Sequence, residues 1–261
     1  FTTWEMLFPS LTVRKLLYPI IRGLRFAGVD VLQRGDKGHE IRLDEVEEEE
    51  ALFLHRLDTE ILHILCPWVV LDTDISKTGF RLGWSDFRDS RRSVRLLQEF
   101  LKRQIRYSGH FRAVAKLNPS AFRVRTLLEQ FPDAKIVYLI RDPEEAIRSF
   151  LSFESRYVKG RLTLEEYRKF CETKYQWSLK LYQYFESVKR EIPEKSILVV
   201  PFDQMVQQTS ESLQQFFNFV GITPDTDYWA KLGDRIQRRS KKHSNRALSE
   251  FGISKERIHK D

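Results

Sequence analysis

Residues 134–152, AKIVYLIRDPEEAIRSFLS, leave the backbone few choices. An apolar run, Ile136–Ile140, is cut off by Arg141-Asp142-Pro143, and an amphipathic stretch carrying Ser149 follows. A short β-branched and aromatic run bounded by turn residues predicts a buried strand. Asp142 is a favoured N-cap and Pro143 a favoured first helical residue. Glu144 and Glu145 then fall in the first helical turn, where carboxylates suit the dipole. The segment therefore reads as strand, tight turn and helix, with an arginine at the strand's end. Ser149 lies two helical turns beyond Asp142, on the same face. A strand that delivers an arginine beside the free N–H groups of a helix start builds an anion site. A phosphate on that face would take Arg141 at one end and the Ser149 hydroxyl at the other. The spacing alone fits a surface Arg and Ser on an ordinary strand–turn–helix equally well.

Around this element helices and strands alternate. Helices are predicted over 10–27, 45–66, 91–107 and 120–131, from Pro143 to about 157, and over 209–220, where Gly221 stops the last. Thr163 and Glu166 form a capping-box pattern opening a long helix to about 191. RAVAK (112–116) predicts a short buried strand and 197–201 another, while VVLDT (69–73) fits a strand or a connecting loop. Strands separated by helices of this length imply an α/β fold, a mostly parallel sheet covered on both faces. Ligands in such sheets gather at the carboxyl ends of the strands. Lys116, Arg141 and the residues after Pro201 all fall at predicted strand ends and are expected to meet on one edge.

The Arg141/Ser149 element resembles the 3′-phosphate-binding element of sulfotransferases that use 3′-phosphoadenosine-5′-phosphosulfate (PAPS). In that family an Arg at a strand end and a Ser eight residues later hold the cofactor's 3′-phosphate, and Arg141 and Ser149 are eight apart. AKLNPSAFRVRTLLEQFPDAK (115–135) resembles the family's Lys-x-x-Pro segment, its helix and the entry to the strand. SILVVPFDQMVQQTSESLQQFFNFVGI (196–222) resembles the following strand, acidic loop and helix. HSNRALSEFGISKERI (243–258) and the acidic EVEEEEALFLHRL (45–57) resemble segments of a broad branch common in bacteria and found in eukaryotes. The resemblance implies a P-loop NTPase-like three-layer α/β/α fold of the sulfotransferase type, one domain over 1–261. It implies sulfuryl transfer from PAPS to a hydroxyl or amine acceptor, releasing 3′,5′-ADP, with no metal. The family's glycine-rich 5′-phosphosulfate loop is not found here, and neither is G-x-x-x-x-G-K-[ST]. FTTWEMLFPS, at the start, resembles the segment that follows that loop, so truncation at the N-terminus is expected rather than loss of the loop.

Sulfuryl transfer needs positioned reactants, charge stabilisation on the leaving oxygen and a base for the acceptor proton. The family places a catalytic lysine in the segment matched by Lys116, which is otherwise a solvated lysine at a strand end. Cytosolic members use a His two residues later; Asn118 stands there and cannot serve. Other members use a Glu base, which points to the acidic run, with Glu47 and Glu50 ahead because residues three apart share a helix face. Acidic residues near a helix start are also favoured by the dipole alone. His110 and His39 are weaker candidates. Lys241, Lys242 and His243 fall where family members close a C-terminal loop over the 3′-phosphate, though the Arg-Lys-Gly signature of the cytosolic enzymes is absent and a basic surface run is the alternative. Trp84, Phe87, Arg88, Arg91 and Arg92 fit an acceptor pocket or an aromatic anchor with a solvated face.

Composition agrees with a globular, enzyme-like chain. Net charge is +7, which suits a polyanionic donor; no nucleic-acid module, zinc spacing or basic low-complexity arm accompanies it. Cys66 and Cys171 make neither a disulfide framework nor a metal site. ILHILCPWVVL (61–71) is too short to span a bilayer. Location is expected to be cytoplasmic if nothing precedes the phosphate loop, and lumenal with a membrane anchor if an upstream anchor exists. Two other classes stay open: a non-catalytic nucleotide-binding pseudoenzyme lacking the loop, and a kinase-like phosphotransferase sharing the sheet architecture.

Overall fold

The structure, a computed structural model, describes residues 2–27, 48–71, 90–116, 122–237 and 246–260. It divides into two compact units, residues 1–130 and 131–261.

In the first unit, α1 (Thr3–Leu7) and α2 (Leu11–Phe26) are followed by a 3-10 helix, Glu49–Arg56. The short helix α3 (Ile61–Leu65) and a 3-10 turn, Pro67–Val70, come next, and then α4 (Ser90–Ser108) and α5 (Val124–Gln130). Leu52, Phe53, Val94, Leu97 and Phe100 are buried here. The helix expected over 45–66 is interrupted. Leu57 takes a left-handed conformation, φ 53°, unusual for a branched residue. The reason is tertiary: the Asp58 carbonyl, which a continuing helix would use internally, accepts from the guanidinium of Arg123 instead. VVLDT falls partly in the 3-10 turn, which places Val69 and Val70 in the core. Residues 112–116 form no strand; they are exposed and irregular.

The second unit begins with β1 (Ile136–Ile140), whose chain turns at Asp142 into α6 (Pro143–Val158). The long α7 (Leu164–Lys189) returns the chain to β2 (Ile197–Pro201). β1 and β2 pair in parallel, Ile136 opposite Ile197 through Ile140 opposite Pro201. This strand–helix–helix–strand crossover is the parallel α/β arrangement that the alternation predicts. The chain continues through α8 (Phe202–Gln207), α9 (Thr209–Val220), α10 (Thr226–Gln237), the 3-10 turn Leu248–Phe251 and α11 (Lys255–Lys260).

Local sequence accounts for the boundaries. The Thr163 hydroxyl accepts from the Glu166 amide at 3.3 Å and the Glu166 carboxylate accepts from the Thr163 amide at 2.8 Å, the reciprocal box that opens α7. Those bonds to the charged form hold the Glu166 carboxyl below its ordinary range. Gly221, at φ 65°, closes α9 in the left-handed conformation that favours glycine. Between α6 and α7 lies a buried ion pair, Lys174 Nζ to Glu154 Oε1 at 2.8 Å, with the ammonium also over the rings of Phe150 and Trp177 at 4.7 and 4.9 Å. Among the described residues, no helix is long and apolar enough to cross a membrane, and no His, Cys, Asp and Glu cluster is suited to a metal.

Candidate active site

The turn between β1 and α6 is built as its sequence demands. The Glu145 amide donates to Asp142 Oδ1 at 3.0 Å, which makes Asp142 the N-cap, and Pro143 occupies the first helical position. Arg141 is thereby fixed between strand and helix. Its guanidinium donates through Nε and Nη2 to Glu145 Oε2 at 3.2 and 3.1 Å and lies over the Phe202 ring at 4.8 Å. Phe202 follows Pro201, the residue paired with Ile140, so the parallel register brings ring and guanidinium together. The Tyr182 hydroxyl, from α7, donates to the Arg141 carbonyl at 3.1 Å. Burial pushes the phenols of Tyr182 and Tyr138 up to about 12, so both stay neutral donors near neutral pH. Glu144 is matched by Lys255 at 2.7 Å.

Ser149 is half-buried on α6, on the face that begins at Asp142. The same helix anchors the C-terminal segment. The Arg246 amide donates to Ser152 Oγ at 3.1 Å, and Arg246 Nη1 to Ser155 Oγ at 3.5 Å. Lys241, Lys242 and His243 lie outside the described residues, just before this anchor.

In the first unit the acidic run meets the segment containing Lys116. Lys116 Nζ pairs with Glu48 Oε1 at 2.5 Å, and the Lys116 amide donates to Glu49 Oε2 at 2.5 Å. Glu50 pairs with Arg123, whose Nη1 donates to Oε1 and Oε2 at 2.6 and 3.2 Å. Arg123 Nη2 also lies 3.3 Å from Asp58 Oδ1 and donates to the Asp58 carbonyl, and the guanidinium covers the Phe53 ring at 4.3 Å. Ser93 Oγ donates to the other Asp58 oxygen. Burial pushes the Glu50 carboxyl up to about 8 against the pull of Arg123, and it raises that of Glu49 as well. Glu47, Asn118 and His39 lie outside the described residues, as do Trp84, Phe87 and Arg88. His110 is exposed just beyond α4; Arg91 pairs with Glu129 at 3.3 Å and Arg92 is exposed on α4.

Sequence reasoning pointed to Arg141, Ser149 and Lys116 but not to their surroundings. Phe202 and Tyr182 are remote in sequence from Arg141, and no local pattern marks them. Arg123 and Asp58 carry no signal beyond being charged residues in apolar stretches. Glu145 was legible as a helix-start acid, and its spacing of four from Arg141 is the signal for the pair.

A model of the sulfotransferase family matches residues 31–227. The chain belongs to the sulfotransferase family. Among solved structures it is similar to sulfotransferase STF9 of Mycobacterium avium, with a TM-score of 0.71 at 12% identity, covering 100% of this chain and 67% of that one. It is also similar to sulfotransferase STF1 of Mycobacterium tuberculosis H37Rv, with a TM-score of 0.68 at 14% identity, covering 99% of this chain and 67% of that one. No curated protein matches it. At these identities the structural likeness concerns the fold, and the fold is the α/β sulfotransferase type, P-loop-like in its architecture.

Proposed function

We propose that the protein transfers a sulfuryl group from PAPS to a hydroxyl or amine acceptor and releases 3′,5′-ADP. The observation that carries this reading is the environment of Arg141. The guanidinium is fixed in place by Phe202 and Glu145 at the start of α6, with Ser149 farther along the same helix. Nη1 carries no hydrogen bond among the described residues, so the fork has a donor edge left for a phosphate oxygen. The neighbouring charges do not forbid an anion. Glu145 is already matched by Arg141 and Glu144 by Lys255.

Arg141 and Ser149 are the residues suited to hold the 3′-phosphate. Arg246 tethers the chain that follows Lys241, Lys242 and His243 to α6, which favours a part for those three near the same phosphate. PAPS supplies the activated sulfuryl group. Lys116 is the cation we assign to the charge that builds on the leaving side during transfer, released from Glu48 as an anionic group takes that carboxylate's place. The acceptor's proton goes to a carboxylate of the acidic run. Of the two expected from the sequence, Glu50 is buried against Arg123, so Glu47 is the carboxylate we assign to this task.

The test is calorimetric titration with 3′,5′-ADP against 5′-ADP. Tighter binding of 3′,5′-ADP, with Arg141→Ala weakening it about 10–100-fold and leaving 5′-ADP unaffected, is expected from loss of charge-assisted bonds worth about 1.5–3 kcal/mol. Equal binding of the two nucleotides, or phosphoryl transfer from Mg-ATP without sulfuryl transfer from PAPS, would overturn the reading.

A further inference from the structure

Consecutive glutamates grip both ends of the segment that runs from Lys116 to Arg123. Glu49 accepts the backbone amide of Lys116, and both Glu50 oxygens accept from Nη1 of Arg123. Both carboxylates sit on the 3-10 helix Glu49–Arg56, and both are almost wholly buried, 1% and 2% exposed. Lys116 is the opposite case: its side chain is 71% exposed, and the backbone before it is irregular and exposed. A long flexible cation on such a stretch is placed only as well as its backbone is held. In a strand a neighbouring carbonyl would accept the Lys116 amide. Here a buried carboxylate replaces that ladder bond.

We propose that Glu49 and Glu50 are positioning residues that fix the Lys116 backbone, and with it the reach of the Lys116 ammonium, with Glu49 the nearer and stronger determinant. Burying two carboxylates is costly, and apolar side chains of similar volume would hold the same helix against the core at least as well. What these side chains supply is a fixed acceptor for one chosen amide and fixed oxygens for one chosen guanidinium. Arg123 is immobilised in turn by Phe53 and by Asp58, whose other oxygen accepts from Ser93 of α4, so the Arg123 end is tied through Asp58 to α4 and to the turn after the 3-10 helix. Neither Glu49 nor Glu50 reaches solvent, and neither is placed to receive a proton from an acceptor molecule.

This inference rests on the reading of Lys116 as the cation that meets the sulfuryl end of the donor. The test compares binding of PAPS and 3′,5′-ADP by calorimetry, because the ratio of the two dissociation constants isolates contacts to the sulfuryl end and needs no acceptor. Lys116→Ala is expected to reduce the preference for PAPS about tenfold, the scale of one charge-assisted contact. Glu49→Leu is expected to reduce it similarly, and Glu49→Gln, whose amide oxygen still accepts, to recover most of the loss. Combining Glu49→Leu with Lys116→Ala should lower the ratio no further than Lys116→Ala alone. Should Glu49→Leu fail to fold, as judged by its melting profile, Glu49→Met carries the same comparison. If Lys116→Ala matters but the Glu49 variants keep the wild-type ratio, or their effects multiply with it, positioning is overturned and the sulfotransferase reading stands. If Lys116→Ala leaves the ratio unchanged, the role given to Lys116 falls. Absence of any PAPS binding overturns the functional reading itself.

Discussion

At the scale of single residues, the chemistry turns on carboxylates beside cations. Arg141, the residue proposed to meet the donor's 3′-phosphate, shares its fork with Glu145. That pair is partly exposed, so its strength is of order 0.2–1 kcal/mol. Glu145→Gln removes a competing negative charge and is expected to tighten 3′,5′-ADP binding about 1.5–5-fold, measured by calorimetry at low salt. Weaker binding would mean that Glu145 serves to orient Arg141 rather than to compete for it. Glu50 gives a pH signature. Its carboxyl is raised in the folded chain to about 8 from the ordinary 4.5 of the unfolded chain, burial being the cause. Between those values the folded state holds a proton that the unfolded state has lost. Stability from this group is therefore full below about pH 4.5 and declines as pH rises toward 8. Glu49 is raised as well and adds in the same direction. Melting profiles from pH 5 to 8 should fall more steeply for the wild type than for Glu50→Gln; parallel curves would show that Glu50 does not titrate in this window.

At the scale of elements, sequence legibility follows the range of the forces that set each boundary. The capping box at Thr163, the Asp142-Pro143 helix start and the glycine stop at Gly221 are all written within a few residues, and the structure places α6, α7 and α9 where those signals stand. β1 and β2 were legible as apolar runs between turn residues. The breaks were not. The helix expected over 45–66 is interrupted at Leu57 because Arg123, far along the chain, takes the Asp58 carbonyl. At 112–116, where a strand is expected, the chain is exposed and irregular, and the Lys116 amide is taken by Glu49. In both places a charged side chain distant in sequence takes a backbone group, and no window of sequence contains both. The α6–α7 contact carries its own prediction. Lys174→Met leaves Glu154 buried with its cation removed, which should cost about 3–5 kcal/mol in urea unfolding, and adding Glu154→Leu should restore most of it. An equal loss in the double variant would mean that the ammonium's packing on Phe150 and Trp177 matters more than its charge.

At the scale of the whole molecule, the family is evident across most of the chain, while identity to the solved relatives is 12% and 14%. Alternation of element types fixes such a fold, and many side-chain sets satisfy it. The candidate site is a different matter. Arg141 and Ser149 were readable because both lie on one strand–turn–helix. The aromatic floor beneath Arg141 was not readable, because it comes from the start of α8, across the sheet.

That floor depends on a single rung. Ile140 faces Pro201, and the next residue on each chain is Arg141 and Phe202. A slip of β2 by one position is the smallest error a parallel pair can make, and it turns every side chain of the strand to the opposite face. Proline adds a safeguard, since it brings no N–H with which to extend the ladder past the correct end. The ring beneath Arg141 thus reports strand alignment: a molecule folded one residue out of step would carry the same arginine with no ring beneath it.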